Sequence, residues 1–203
     1  MKIGIPKAMM HYQNPILYES FFKNLGFEVV YSDETNKEIL EEGKKYSIDE
    51  TCLSAKIYLG HVSNLVKRLK KENIDYIFIP RIGYFSKRET VCVKFYAMYD
   101  ICKNIFDAKF IDLNIDYSKG ITEIKGFLKL GEKLKVSYAK TISSYIRAKN
   151  IEKLYNLTLY NKQIKLLNES KNNMNVLIVS HPYISHDEYL GSQITSYLRS
   201  ANV

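Results

Sequence analysis

The sequence lacks the short motifs that identify most nucleotide-binding and hydrolytic sites. The first apolar run, Lys2–Ile5, is followed by Pro6, without the Gly-x-Gly-x-x-Gly turn or the Gly-x-x-x-x-Gly-Lys-Ser/Thr loop that cradles phosphates. Gly-x-Ser-x-Gly and His-Glu-x-x-His are also missing. We therefore expect the chain not to be an ATPase by itself.

Cysteines are few and long apolar runs are absent. The three cysteines, Cys52, Cys92 and Cys102, form an odd and sparse set that suits a reducing compartment better than a disulfide framework. No stretch approaches the roughly 20 apolar residues that span a bilayer, and the N-terminus enters a predicted strand without a signal-peptide core. These features predict a soluble, cytoplasmic protein that does not bind membranes.

The positive charge is concentrated in the middle of the chain. The net charge is +8, and residues 119–171 hold 12 basic and 4 acidic side chains, whereas residues 1–118 hold 17 and 16. Apolar residues recur at helical spacing in this middle segment, which predicts helices with a lysine-rich face. That face is either simply solvated or a binding surface for an acidic or phosphate-bearing partner. Nucleic acid is disfavoured, because lysines far outnumber arginines and no nucleic-acid motif accompanies them.

Predicted strands alternate with predicted helices, as in a parallel sheet built from βαβ units. The strands are expected at Lys2–Ile5, Phe27–Tyr31, 75–80, Lys109–Leu113 and 175–180. The fold class is therefore α/β, a doubly wound, Rossmann-like parallel sheet with a long helical segment and the start of a second α/β domain. The predicted boundaries are 1–118, 119–174 and 175–203. The last strand and helix either complete the first domain or begin a second one that is cut short, and we favour the second interpretation.

Cys52 and Cys92 each lie in a loop expected at the carboxyl edge of the sheet. Open α/β sheets bind ligands at that edge, and Pro6 and Pro80 predict where two of the strands end. Cys52 also comes just before a predicted helix, whose dipole favours a thiolate, together with Lys56. A thiolate is a metal ligand or a nucleophile.

The remaining cysteine and the four histidines are interpreted as structural residues. Cys102 is expected in the apolar core. His11, His61, His181 and His186 are each more typical of hydrogen-bonding structural residues, although His61 could serve as base if Cys52 were a nucleophile.

The sequence around the cysteines resembles a known family. The segments concerned are Lys2–Ala8, Leu25–Ser32, Asp49–Lys56 with Gly60–Val62, Asp75–Arg81, Cys92–Phe95 and Val176–Tyr183. They resemble the acyl-CoA dehydratase activase-related family, which is similar to the iron-sulfur subunits of 2-hydroxyacyl-CoA dehydratases and benzoyl-CoA reductases. The family usually has proline shortly after each cysteine, where this chain has Ser54 and Val93.

The resemblance implies an iron-sulfur electron-transfer component. Cys52 and Cys92 would ligate a [4Fe-4S] cluster, and the partners would be an ATP-dependent activator protein or dehydratase subunits, with an acyl-CoA-type substrate. Six side chains are expected to line the site: Lys56, His61, Arg81, Lys94, His11 and His181. The alternative is a cluster-free binding or regulatory module of the same fold.

Overall fold

The computed structural model describes residues 1–84, 86, 88–170 and 174–201. Its centre is a four-stranded, all-parallel sheet in the order β2-β1-β3-β4. The strands are β1 (Lys2–Ile5), β2 (Glu28–Tyr31), β3 (Tyr76–Tyr84) and β4 (Phe110–Asp116). The helices are α1 (Met10–Gln13), α2 (Pro15–Asn24), α3 (Lys37–Lys45), α4 (Leu53–Glu72), α5 (Val93–Ile105), α6 (Glu123–Lys133), α7 (Tyr138–Glu169), α8 (Pro182–Ser185) and α9 (Glu188–Ser200). Among the described helices, none is long and apolar enough to cross a membrane.

Different helices cover the two faces of the sheet. On one face, the Phe78 ring lies 5.1 Å and 5.0 Å from the rings of Tyr18 and Phe22 in α2. On the other face, Gly4 of β1 packs against Leu65 of α4. Both faces are therefore buried, as all-parallel sheets require. The predicted doubly wound α/β fold is confirmed.

The third strand runs past the proline at which the sequence predicts its end. β3 continues to Tyr84, and Pro80 pairs with Leu113 of β4. On the other side of β3, β1 pairs only with Tyr76 and Ile77. Beyond Ile77 the strand thus has one neighbour, and a proline without an N–H is tolerated there as it is on an edge strand. The predicted strand end at Pro80 is wrong.

The strand predicted over 175–180 is also wrong. Residues 174–180 have no regular secondary structure, and Leu177 and Val179 are 85% and 86% exposed. An apolar run forms a stable strand only beside another strand, and none of the described strands lies next to this one. The division into domains at residues 118 and 174 stays a prediction.

The middle segment is helical, as predicted, but only partly packed. The first half of α7 buries Thr141, Ser144 and Ala148, and α7 packs against α2 and α6. From residue 151 onward every α7 side chain except that of Glu152 is exposed. The apolar ones among them include Leu154, Leu157, Tyr160, Ile164 and Leu167.

The helices α3 and α4 approach each other at two glycines. A Cβ on Gly43 would overlap the carbonyl oxygen of Lys56, and one on Gly60 would overlap the carbonyl oxygen of Ile39. Only the absence of side chains allows these backbones to touch. This contact fixes α3 against the helix that follows Cys52.

We predict that Gly43→Ala destabilises the protein by about 1–3 kcal/mol, because overpacking forces the backbones apart. Urea denaturation followed by far-ultraviolet circular dichroism measures the change. Lys70→Ala, at an exposed position of α4, is the control and should leave stability nearly unchanged. Equal stability of the two variants would contradict the close helix contact.

Candidate functional site

Cys52 and Cys92 occupy equivalent positions at the start of two helices. Cys52 is the N-cap of α4, with φ −61° and ψ 150°, and Cys92 is the N-cap of α5, with φ −54° and ψ 134°. Neither side chain makes a capping hydrogen bond, and both residues are exposed. Both thiols therefore lie at the positive end of a helix dipole, which stabilises negative charge.

One tyrosine lies near both cysteines. The Tyr183 ring of α8 is 5.8 Å from the ring of Phe95, in the first turn of α5. Burial raises the pKa of the Tyr183 phenol, and electrostatic interaction with Cys52 and Cys92 raises it further. The two thiols and the phenol thus lie in one neighbourhood. A shared metal site for the two cysteines stays a prediction.

The two lysines of the expected site flank the cysteine loops. Lys56 donates a hydrogen bond from Nζ to the carbonyl oxygen of Asp49, 2.9 Å away, and so closes the loop before Cys52. Lys94 lines a cavity of about 220 Å³ beside Thr51 and Met98. This cavity has mostly apolar walls and lies between the loop before Cys52 and α5.

Arg81 is engaged by α5. Its guanidinium forms a bidentate ion pair with Asp100, at 3.2 and 2.8 Å. It also lies over the rings of Tyr96 and Tyr99, at 4.7 and 5.2 Å from their centroids. Asp100 therefore neutralises the positive charge that the sequence predicts for the site.

His61 lies inside the protein rather than at its surface. It is fully buried, with Nδ1 2.8 Å from Ser32 Oγ and Nε2 3.0 Å from Thr35 Oγ1. The Thr35 hydroxyl donates to the carboxylate of Asp187, so its oxygen accepts from the Nε2–H of His61. Nδ1 then accepts from the hydroxyl of Ser32. Because both ring nitrogens are engaged, His61 is not available as a base for Cys52.

The other two candidate histidines have different surroundings. His11 is mostly buried between the rings of Tyr12 and Tyr31, at 5.3 and 5.2 Å. Burial, and next the charge of Lys7, lowers its pKa to about 4. His181 is exposed and stacks on Tyr183, with ring centroids 5.0 Å apart and planes 7° apart. Through this stacking His181 lies beside the phenol that is near the cysteines.

Cys102 is in the apolar core, as predicted. It is fully buried, and burial raises the pKa of its thiol. The thiol therefore stays protonated and does not compete with the two exposed cysteines as a ligand.

Sequence reasoning missed Tyr183 and Asp187. The sequence predicts a helix over Asp187–Ser200, and the structure makes its first residue, Asp187, the N-cap, a position that aspartate favours. Its burial depends on contacts with residues more than 150 positions away, such as Thr35 and Tyr12. Tyr183 carries no local signal beyond its place after His181 and Pro182.

The described side chains supply part of the donor set of an iron-sulfur cluster. The described residues contain no group of three or more His, Cys, Asp or Glu side chains that could hold a metal ion. Cys52 and Cys92 have the right chemistry, since soft thiolates bind iron in such clusters. The residues present thus fit as two ligands of a [4Fe-4S] cluster, not as a complete set.

The carboxyl edge of the sheet is closed at its centre and open on one side. Between β1 and β3, side chains including Met10, Tyr18 and Tyr58 leave a cavity of only about 10 Å³. A larger cavity of about 430 Å³ lies at the ends of β3 and β4. Its walls include Tyr84 and Tyr96, and Val91 and Val93 on either side of Cys92 also line it.

Acidification should destabilise the fold through His61. Burial lowers the pKa of His61 to about 3 from an ordinary value of 6.5. Between these values the unfolded chain binds a proton that the folded chain does not. The free energy of unfolding is therefore highest above pH 6.5 and falls as the pH falls toward 3.

His61→Gln should weaken this pH dependence of the free energy of unfolding, measured by urea titrations at several pH values. His186→Gln, at an exposed position, should not. Identical pH profiles for the three proteins would contradict a buried neutral His61.

Comparison with protein families places almost the whole chain in one of them. Residues 2–203 match a domain described as "CoA enzyme activase uncharacterised domain (DUF2229)". Searches of curated proteins and of solved structures return no significant match. An activase-related family is therefore confirmed, while the specific similarity to iron-sulfur subunits stays a prediction. The chain belongs to this family, the uncharacterised domain of CoA enzyme activase, DUF2229.

Proposed function

We propose that this chain is an iron-sulfur electron-transfer component of an acyl-CoA dehydratase system, working with an ATP-dependent activator. The observation that supports this most is the pair of exposed thiols at two helix N-termini, both near Tyr183. The family match to a CoA enzyme activase domain is consistent with the CoA-linked part of the proposal.

Each element of the site has a physical role in this proposal. Cys52 and Cys92 would hold two irons of a [4Fe-4S] cluster, which supplies one-electron chemistry when bound. The N-terminal dipoles of α4 and α5 stabilise the negative charge of the thiolates. The rings of Phe95 and Tyr183 place apolar surface beside the start of α5, next to Cys92. The remaining ligands would come from outside the described residues.

A partner with an acidic surface would suit the lysine-rich helical segment. Several cations of that segment already pair within the protein, such as Lys133 with Asp112 and Lys149 with Glu123 and Glu152. Others, such as Lys153 and Lys162, lie on the exposed half of α7. We place the contact with an activator or dehydratase subunit on this half.

One observation favours the second candidate, a cluster-free binding or regulatory module. The described residues offer two metal-ligating thiols and no third ligand close to them. The 430 Å³ cavity behind Cys92 would then be the binding site, since its volume falls in the range of small-molecule pockets.

Iron content decides between the two functions. After anaerobic reconstitution with iron and sulfide, Cys52→Ser and Cys92→Ser should each sharply lower bound iron, because a hard hydroxyl replaces a soft thiolate. Cys102→Ser is the matched control, and its iron content should equal that of the unsubstituted protein. Iron and sulfide assays, with far-ultraviolet circular dichroism to verify folding, make the measurement.

Two results would contradict the cluster proposal. One is iron retained in full by the Cys52 and Cys92 variants. The other is equal iron loss in all three variants. An unsubstituted chain that binds no iron, even with the activator and dehydratase subunits present during reconstitution, would leave the binding-module function.

A further inference from the structure

A buried carboxylate attaches the C-terminal helices to the first two strand-end loops. Asp187 is 1% exposed. Its Oδ2 accepts hydrogen bonds from the hydroxyl of Tyr12, at 3.2 Å, and from the hydroxyl of Thr35. Its Oδ1 accepts from the backbone N–H groups of Tyr189 and Leu190, each at 3.0 Å. Asp187 is thus both the N-cap of α9 and a bridge to residues at the far end of the chain.

The two C-terminal helices form one compact unit. Gly191 of α9 lies so close to α8 that a Cβ there would come within 2.6 Å of the carbonyl oxygen of Ser185 and 2.7 Å of that of Ile184. The backbone N–H of Gly191 also donates to the carbonyl oxygen of Asp187, at 2.7 Å. Because the helices are tightly joined, we expect them to move together.

Few side chains of this unit are buried. Between residues 181 and 201, Asp187 and Gly191 are the buried residues, and the rest are partly or fully exposed. The unit meets the body through α8 against α1, through the hydrogen bonds of Asp187, and through Tyr183 against Phe95. The stretch before it, 174–180, has no regular secondary structure. Residues 181–201 therefore have the features of a separately opening part of the fold.

The interactions of Asp187 allow the C-terminal unit to open at a modest cost in free energy. Removing a carboxylate from water is costly, and among the described side chains no lysine or arginine forms an ion pair with Asp187. Four hydrogen bonds offset that cost in the docked position, and water replaces some of them when the carboxylate is exposed. The docked and open positions should thus differ modestly in free energy.

We propose that residues 181–201 form a hinged cover that closes over the cysteine-bearing edge of the sheet, with Asp187 as its latch. In the closed position Tyr183, with His181 stacked on it, lies against Phe95 at the start of α5 and so limits the approach to the thiols on one side, although both cysteines keep exposed surface. Opening withdraws both rings and gives a metal donor or partner protein fuller access to the thiols. This inference concerns the metal-free chain and does not require the cluster.

The test uses variants that release the latch from each side. Tyr12→Phe removes one hydrogen bond to Asp187 and leaves the N-cap of α9 and the hydrogen bonds of His61 intact. Asp187→Ala removes the hydrogen bonds to Tyr12 and Thr35 and also the N-cap. Hydrogen exchange of amides in 182–200 should rise about tenfold or more in both variants, since a hydrogen bond to a charged group contributes at least that factor. Glu188→Ala, an adjacent exposed carboxylate on α9, is the matched control and should not change the exchange.

A second measurement asks whether the unit covers the cysteines. Iodoacetamide alkylation of the metal-free protein at one fixed pH, read by mass spectrometry, gives a rate for each thiol. Cys52 and Cys92 should react about threefold faster or more in both latch variants, as they become more accessible. Tyr183→Ala should have the same effect without releasing the latch. Buried Cys102 should stay slow in every variant, which shows that the core is folded.

The hydrogen-exchange result tests the latch, and the alkylation result tests the cover. Faster exchange in Asp187→Ala alone, confined to the first turn of α9, would mean that Asp187 is only a helix cap and would overturn the latch. Faster exchange in both variants with unchanged alkylation of Cys52 and Cys92 would overturn the cover. Failure of iron binding would affect neither result, so the cover and the cluster are tested separately.

Discussion

The parallel arrangement of the sheet is the constraint on which the site depends. A strand that must lie parallel to its neighbour returns through a helix, and each such helix begins at the carboxyl edge of the strands. Because α4 leads into β3 and α5 leads into β4, both helices begin on the carboxyl side of the sheet. The first turns of α4 extend past the strand ends, since His61 within α4 lies level with Ser32 directly after β2. Cys52 and Cys92 are forty positions apart and each lies one residue before such a helix, so they lie on the same side of the sheet without any local motif between them.

The alternation of apolar runs and helical periods was sufficient to predict the parallel sheet. Burial on both faces makes the strands read as short continuous apolar runs, and these are visible in sequence. The strand predictions were wrong where the structure of a segment depends on whether another strand lies beside it. Pro80 is accepted in β3 because one side of the strand is open there, and Val176–Val179 form no strand because none of the described strands lies beside them. Sequence alone does not show which strands are neighbours.

The candidate site was predicted in part, for a related reason. The positions of Cys52 and Cys92 follow from chain order and topology, and Cys102 follows from its apolar surroundings. The environments of the charged and aromatic residues do not. His61 is surrounded by hydroxyls from a loop about thirty positions earlier, and Arg81 is paired with Asp100 one helix later. The hydrogen-bond and ion-pair partners of a polar side chain are set by distance in the folded protein. Whether such a side chain is free to act in a site can therefore be read only from the structure.

The long helix α7 has a mechanical consequence. At about 1.5 Å per residue, its 32 residues extend for nearly 50 Å, and only the first part is anchored against α2 and α6. Because the side chains in the second half of α7 are exposed, a small rotation of the anchored half would displace the C-terminal end of the helix by many ångströms. Its surface mixes lysines with leucines and isoleucines, as an amphiphile does. This exposed half of α7 is therefore one surface through which salt and protein concentration act on self-association.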